Sequence, residues 1–193
     1  MIDGDAAPRV QRFTRDLLTG ARAEFYDAMV AEVPIESASV IVAPDGALEG
    51  PLNARLLSPP LGSAHHRFND AIVRETCLPV RVREFVVLTV AHETRSDYVW
   101  SAHRRIALTR GVTEDEISAI EQARTCDSMN ELERAAVSCA LALVRTDDLD
   151  DAQFAAAIGA LGERAVFEIV LMVGSYRLLA LQARVYRVGP VHG

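Results

Sequence analysis

A glutamate at position 84 and a histidine at position 103 are the residues whose type and placement best suit chemistry in this chain. Between them the sequence reads as two consecutive helices, broken near Thr94–Ser96. On the first, Glu84, Val87, Leu88 and Ala91 fall at i, i+3, i+4 and i+7 and share one stripe, apolar except for the glutamate. On the second, Ser96, Val99, Trp100, His103, Ile106 and Ala107 share a stripe on which only His103 titrates near neutral pH. Arg83, Asp97, Arg104 and Arg105 lie off both stripes, where a solvated charge belongs. A buried carboxylate without a partner costs several kcal/mol or is forced neutral. The pattern therefore predicts that Glu84 and His103 meet, directly or through a hydroxyl or a water. Such a couple in an apolar pocket is a proton-transfer device, because burial and pairing push the carboxyl in opposite directions and can leave it near working pH. A pairing that only pins two helices together is the plainer alternative.

At these residues the chain resembles the carboxymuconolactone decarboxylase and alkylhydroperoxidase-D superfamily. The peroxidase branch of that superfamily carries a glutamate, then Cys-x-x-Cys, then a histidine four residues after the second cysteine. Glu84 and His103 have the spacing of that glutamate and histidine, whereas Ser96 and Val99 stand at the cysteine positions. The form Asp97-Tyr-Val-Trp-Ser-Ala-His103 is similar to the Tyr-x-Trp-x-x-His version of the decarboxylase-like branch. Gly50-Pro-Leu-Asn53, Leu57-Ser-Pro59, Leu78-Pro79 with Arg83-Glu84, and Gly111-Val-Thr-Glu-Asp-Glu-Ile117 extend the resemblance over roughly residues 50–185. It implies an all-α, AhpD-like bundle, catalytic roles for Glu84 and His103, and a homo-oligomer (dimer, trimer or hexamer). It also implies that the segment before the core lies over the pocket, with Asn53 and Leu57 as candidates to line it.

Around the pair, Ser96, Tyr98, Trp100 and Asn53 are the candidate substrate-binding residues. Ser96 lacks the Gly-x-Ser-x-Gly setting of a nucleophile, so a hydrogen-bond relay or a helix N-cap suits it better. Trp100, on the His103 stripe, suits packing; Tyr98, off it, can cap a pocket or meet a subunit. His65 and His66 are adjacent and face different ways, so at most one enters a pocket. Tyr176 and Arg177 interrupt the last apolar helix and are candidates to meet a neighbouring subunit or an anionic substrate. No His-x-x-x-His or His-Glu-x-x-His pattern occurs, so no metal site is expected. Arg81, Arg83, Arg104 and Arg105 read as a solvated face balancing nearby acids.

These residues must be positioned by one compact domain of 193 residues, half of them hydrophobic. Its two parts are an N-terminal helix and loop over residues 1–62 and a helical core over 63–188. Low aromatic content with abundant Ala, Leu and Val favours close-packed helices, seven or eight of them. A net charge of −7 and a pI of about 5.2 offer no general attraction to nucleic acid or anionic membrane. No apolar run reaches the roughly 20 residues of a membrane span, and the acidic N-terminus lacks a signal-peptide core. Cys77, Cys126 and Cys139, odd in number and widely spaced, read as reduced thiols of a cytoplasmic protein.

In chain order, helices are expected over about Pro8–Glu32, Ser63–Glu75, Arg81–Glu93, Ser96 or Asp97 to Arg110, Thr113 to Ala123, Leu132–Val144, Asp150–Gly159 and Gly162–Tyr186. Ser63 is read as an N-cap, Gly111 as a C′ glycine, Thr113 with Glu116 as a capping box, and Asn130 or Ser128 as a cap. Eight Pro and Gly residues in 34–62 rule out a long helix there, and a short strand or hairpin fits Ser39–Val42 with its turn at Pro44-Asp-Gly46. A faint echo links Leu78, Arg81 and Glu84 with Leu161, Arg164 and Glu168.

Three functions remain open. The first is a cofactor-independent lyase or isomerase acting on a small carboxylated or enolisable substrate, with His103 as proton donor and Glu84 as orienter or base. The second is an AhpD-like thiol peroxidase, which the missing Cys-x-x-Cys disfavours because peroxide reduction needs an attacking thiolate and a resolving thiol. The third is a non-catalytic oligomeric binding protein.

Overall fold

The computed structural model describes residues 7–31 and 42–190. Among these residues the fold is all-α. In order the helices are α1 (Gly20–Ala31), α2 (Pro51–Arg55), α3 (Pro59–Glu75), α4 (Val80–Glu93), α5 (Asp97–Thr109), α6 (Glu114–Glu121), α7 (Glu131–Thr146), α8 (Asp151–Leu161) and α9 (Glu163–Tyr186). One more helix is present than the seven or eight expected, because the proline- and glycine-rich connection contains the five-residue α2. Proline suits that position: it stands at the first helical residue, where no amide partner is needed.

Helix α4 is the axis of the molecule. Val82 and every residue from Glu84 to Ala91 are buried, so the expected apolar stripe extends around the whole helix. Its valines have poor intrinsic helix propensity, and the helix is held by what surrounds it. It packs most extensively on α7 and α5, then on α9 and α6. One apolar core joins α4, α5, α7 and α9, and a second, around Phe85, Leu88, Ile117 and Ile120, fills the space under α6. A third, separate cluster of Phe13, Leu18, Phe25, Tyr26, Met29, Leu48 and Leu56 holds the N-terminal part.

That third cluster explains why the first helix is shorter than its apolar pattern suggests. Phe13 and Leu18 are buried, but between them the chain makes only a turn of 3-10 helix at Arg15–Leu17. Leu18 is extended and α1 begins at Gly20 with φ +53°. The periodicity recorded burial and not helix. Residues 39–41 of the expected strand lie outside the described residues; Val42 makes one antiparallel bridge to Leu48 around a turn with Gly46 at φ +81°. Helix α3 starts at Pro59, with Ser58 in the N-cap position but making no side-chain capping bond, one turn earlier than Ser63. Gly62 in that first turn lies against Arg55 and Phe25, where a Cβ would run into the Arg55 carbonyl.

The caps predicted at Thr113 and Asn130 are present as reciprocal capping boxes with Glu116 and Glu133, and Asp150 forms a third with Gln153. Gly111 has φ +81°. Helix α9, at 24 residues, is long and apolar enough to cross a membrane by length and composition, unlike the expectation that no segment would be; here it packs against α4, α5, α7 and α8.

Candidate active site

The turn between α4 and α5 sets the site. Thr94 closes α4, Arg95 takes a left-handed φ of +53°, and the Ser96 amide donates to the Ala91 carbonyl at 2.9 Å. This six-to-one bond is the usual way of ending a helix with a left-handed residue. Ser96 Oγ then accepts from the Val99 amide at 3.4 Å and opens α5. With so short a link, α5 packs back along α4 and His103 comes to rest on Glu84.

The contact is direct: His103 Nδ1 lies 2.9 Å from Glu84 Oε2. Glu84 is only 5% exposed, and the His103 side chain is itself mostly covered. A carboxylate can only accept, so Nδ1 carries the proton and Nε2 is the nitrogen left over for other work. The edge of the Tyr176 ring, from α9, meets the imidazole at a centroid separation of 5.1 Å and an interplanar angle of 88°. Burial pushes the Tyr176 phenol well up, with Glu84 adding to the shift, so it remains a neutral donor.

Glu84 and His103 line a cavity of about 840 Å³ between α1, α2, α3, α4, α5 and α9. Tyr98 lines it too. The Tyr98 ring is buried, its hydroxyl pushed well up first by burial and then by Glu49. It lies beneath Gly50, whose φ is +56° and whose missing Cβ would occupy the ring. The opposite wall has Asn69 and Ser175, joined by a 2.6 Å hydrogen bond from the serine hydroxyl.

Arg55, at the end of α2, was not singled out by any feature of the sequence. Its side chain lines the cavity and is 6% exposed. Nη1 lies 3.3 Å from His66 Nδ1, which must accept because a guanidinium has only donors. Nε is buried and has no hydrogen-bond partner. Burial lowers the Arg55 pKa to about 10, leaving it charged at neutral pH. His66 lines the cavity; the ring of its neighbour His65 is pushed from 6.5 down to about 4 by burial, then by Arg55 and His66. Only an isolated arginine in a degenerate loop marks this corner in the sequence, so periodicity had nothing to register.

The remaining candidates stand outside the cavity lining. Asn53 is buried, but its amide is committed to the N-terminal segment: Oδ1 accepts from the Phe13 amide at 3.0 Å and Nδ2 donates to the Gln11 carbonyl at 2.8 Å. Leu57 is exposed, and Leu52 lines the cavity in its place. Ser96 is the N-cap already described. Trp100 packs between the two main cores, its ring 5.9 Å from that of His92.

No sulfur reaches the cavity. Cys77 is exposed; burial and Glu168 push its thiol up. Cys126 sits 3.2 Å from Ser128 Oγ, and Cys139 is buried and pushed up to about 11 by burial. Among the described residues no three His, Cys, Asp or Glu side chains converge to hold a metal ion.

Glu168, the echo of Glu84, does structural work. It accepts from Thr76 Oγ1 at 2.5 Å, the Cys77 amide at 2.8 Å and Arg164 at 2.8 Å, tying the α3–α4 link to α9. Arg81, read as part of a solvated face, instead reaches inward to Glu133 at 2.8 Å and Glu116 at 2.9 Å. Arg83 donates to the Val73 carbonyl. Only Arg104, paired with Glu114, and the exposed Arg105 fit the original reading.

Residues 59–142, which include both members of the pair, match the model of the carboxymuconolactone decarboxylase family. Among solved structures the chain is similar to a variant of the debrominase Bmp8 in complex with 2,3,4-tribromopyrrole. That match has a TM-score of 0.74 at 18% identity and covers 97% of this chain and 95% of that one. The apo form of Bmp8 matches with a TM-score of 0.72 at 19% identity, over 90% and 89% of the two chains. ATU0492 from Agrobacterium tumefaciens, a protein of unknown function whose name links it to AhpD and antioxidant defence, matches with a TM-score of 0.66 at 17% identity. It covers 75% of this chain and 100% of its own. At these identities the likeness concerns the fold. No curated protein sequence matches the chain.

Proposed function

Because residues 59–142 match the model of the carboxymuconolactone decarboxylase family, we propose that the chain is a member of the carboxymuconolactone decarboxylase and AhpD-like superfamily and a cofactor-independent lyase or isomerase. It would move a proton on a small carboxylated or enolisable substrate. The observation that carries this reading is the 2.9 Å Glu84–His103 contact at the wall of a cavity. With Nδ1 bound to Glu84, the Nε2 face of His103 gives a proton to carbon or takes one from it, and Glu84 stabilises the imidazolium that forms. Tyr176 and Tyr98 are neutral donors suited to the oxygen of a developing enolate. That a fold relative holds a small planar heterocycle is consistent with a ligand of similar size in this cavity. Thiol-based peroxide reduction has no sulfur to run on at this place.

The test is solvent deuterium incorporation or CO2 release, followed by NMR in D2O, over a panel of small β-oxo acids and unsaturated lactone acids. A turned-over substrate should lose roughly 10²- to 10⁴-fold in rate with His103→Asn, and nearly as much with Glu84→Gln, at little cost in folding. Variants that keep the wild-type rate would overturn the assignment.

The same molecule is inferred to work as a homo-oligomer. Phe167, Val170, Leu178, Leu181 and Val185 are exposed along one face of α9. Phe167 and Leu181, and Val170 and Leu178, are spaced symmetrically about Gly174, which is itself exposed and has open space around it. Such a stripe is self-complementary when a second α9 runs antiparallel across a two-fold axis at Gly174. Light scattering should return a mass above 21.0 kDa, and Leu178→Glu should reduce it to the monomer. A wild-type monomer at micromolar concentration contradicts this.

A further inference from the structure

We propose that Arg55 is the anion receptor of the cavity, holding a substrate carboxylate that stays on the molecule throughout the reaction. This deepens the proton-transfer reading above and rests on it for the chemistry, but the binding claim stands on three observations of its own.

The first is the arginine itself. A guanidinium offers five N–H donors. In Arg55 one is accounted for by His66, Nε has no partner, and among the described residues no carboxylate forms an ion pair with it. Removing a charge from water without a counter-ion is costly. Among the described residues the other fully buried charges have such a partner: Glu84 has His103, while Glu116 and Glu133 share Arg81. Arg83, on the same wall, also has a buried Nε without a partner, but it is less deeply covered and its Nη1 donates to the Val73 carbonyl. Arg55 is the exception, and it lines the cavity.

The second is the balance of charge. The chain carries −7 overall, yet Arg55, Arg74, Arg83, Arg105 and Arg110 line this cavity against Asp70 and Glu84 alone. Both acids are occupied, Asp70 by Arg74 at 2.6 Å and Glu84 by His103 at 2.9 Å. An acidic protein with a cationic pocket attracts and retains anions there.

The third is how firmly the receptor is held. The bare Gly62 lets α3 sit against the Arg55 carbonyl, and Tyr98 lies beside the same corner under a glycine that no side chain can replace. The close packing thus fixes the backbone from which Arg55 extends, and His66 holds one end of its guanidinium; the planar fork suits the two oxygens of a carboxylate.

The chemistry decides which carboxylate it holds. A carboxylate that departs as CO2 must give its charge to the rest of the substrate, and a guanidinium facing it stabilises the starting state more than the transition state. The group on Arg55 is therefore an anchor that remains in the product. The bond-making carbon lies toward His103 and Tyr176. The substrate is a small acid that undergoes a proton shift, or a diacid that loses its other carboxyl.

The experiment is an NMR titration of the full chain with succinate and benzoate, each compared with its neutral amide. At least one acid should bind roughly ten-fold or more tightly than its amide. Arg55→Met should remove that preference; Arg55→Gln stands in should the methionine variant not fold. Arg104→Gln, outside the cavity, should retain it. Equal binding of acids and amides by the wild type, or a preference that survives loss of Arg55, overturns the proposal. Because no turnover is read, that failure leaves the proton-transfer role untouched. Conversely, an intact acid preference with unaltered turnover in His103→Asn would sink the latter alone.

Discussion

Two groups of charged side chains lie within a few turns of one another on α4, equally hidden from water and opposite in how fully they are satisfied. In the first, Glu116 and Glu133 accept from Arg81, and each also takes the backbone amide of its own N-cap residue. Ser128 adds a further bond to Glu116, and Arg81 donates to the Gly111 carbonyl. Burial pushes Glu116 up, but the Thr113 amide and Arg81 more than reverse this and hold it below the usual carboxylate range. Every oxygen and most donors are used, so the cluster joins α4, α6 and α7 and has nothing left to offer a ligand. In the second, Glu84 and His103 use one bond each on the other, Arg55 has a donor to spare, and two phenols face a cavity. Burial of charge alone therefore does not mark a site. Open hydrogen-bonding capacity beside empty volume does.

Breaking the first group should cost folding and spare activity, and breaking the second should do the reverse. The largest stability effect is expected from Arg81→Met. It leaves two buried carboxylates with only their capping amides and a serine, at a cost of about 3 kcal/mol. For a chain of this size that lowers Tm by roughly 6–12 °C in a thermal melt, while catalysis per folded molecule is retained. Glu84→Gln, where the amide oxygen can still accept from His103, should cost less than about 1 kcal/mol in the same melt. A reversed ranking would dissolve the contrast.

A smaller effect comes from the wall of the second group. His65 is held neutral in the fold, with a pKa of about 4 against 6.5 when free. Its unfolded form takes up a proton as pH falls below about 6.5, and its folded form does so only near 4. Stability from this group is thus complete above pH 6.5, declines as pH falls from 6.5 to 4, and changes no further below that. The loss should be about 2 kcal/mol, read from denaturant midpoints across that window. His65→Gln should flatten the decline, and Arg55→Met should shrink it and raise its lower end, since Arg55 helps to hold the folded pKa down.

The smallest effect is expected at the surface. Arg104→Ala removes an ion pair with the exposed Glu114 and should change stability by no more than about 0.5 kcal/mol. A loss comparable to that of Arg81→Met would mean that the solvated pairs matter as much as the buried cluster.

The features legible along the chain are those that depend on sequence neighbours. Helix class, the break at Thr94–Ser96, and the capping boxes at Thr113 and Asn130 follow from local hydrogen bonding and periodicity. So does the presence of Glu84 and His103 on two facing stripes. Where the pattern misled, it did so because it records burial and not conformation: Phe13 and Leu18 are buried at helical spacing without a helix, and Pro59 starts one a turn before Ser63. Which charges are spent and which are spare follows instead from how the helices pack. Arg81 and Arg55 look alike in the sequence, each an arginine beside an apolar run. Arg81 meets Glu116 from 35 residues and Glu133 from 52 residues away, while Arg55 meets a cavity whose walls come from six helices. Whether a side chain finds a counter-ion depends on what the fold packs around it, and no window along the chain contains that information.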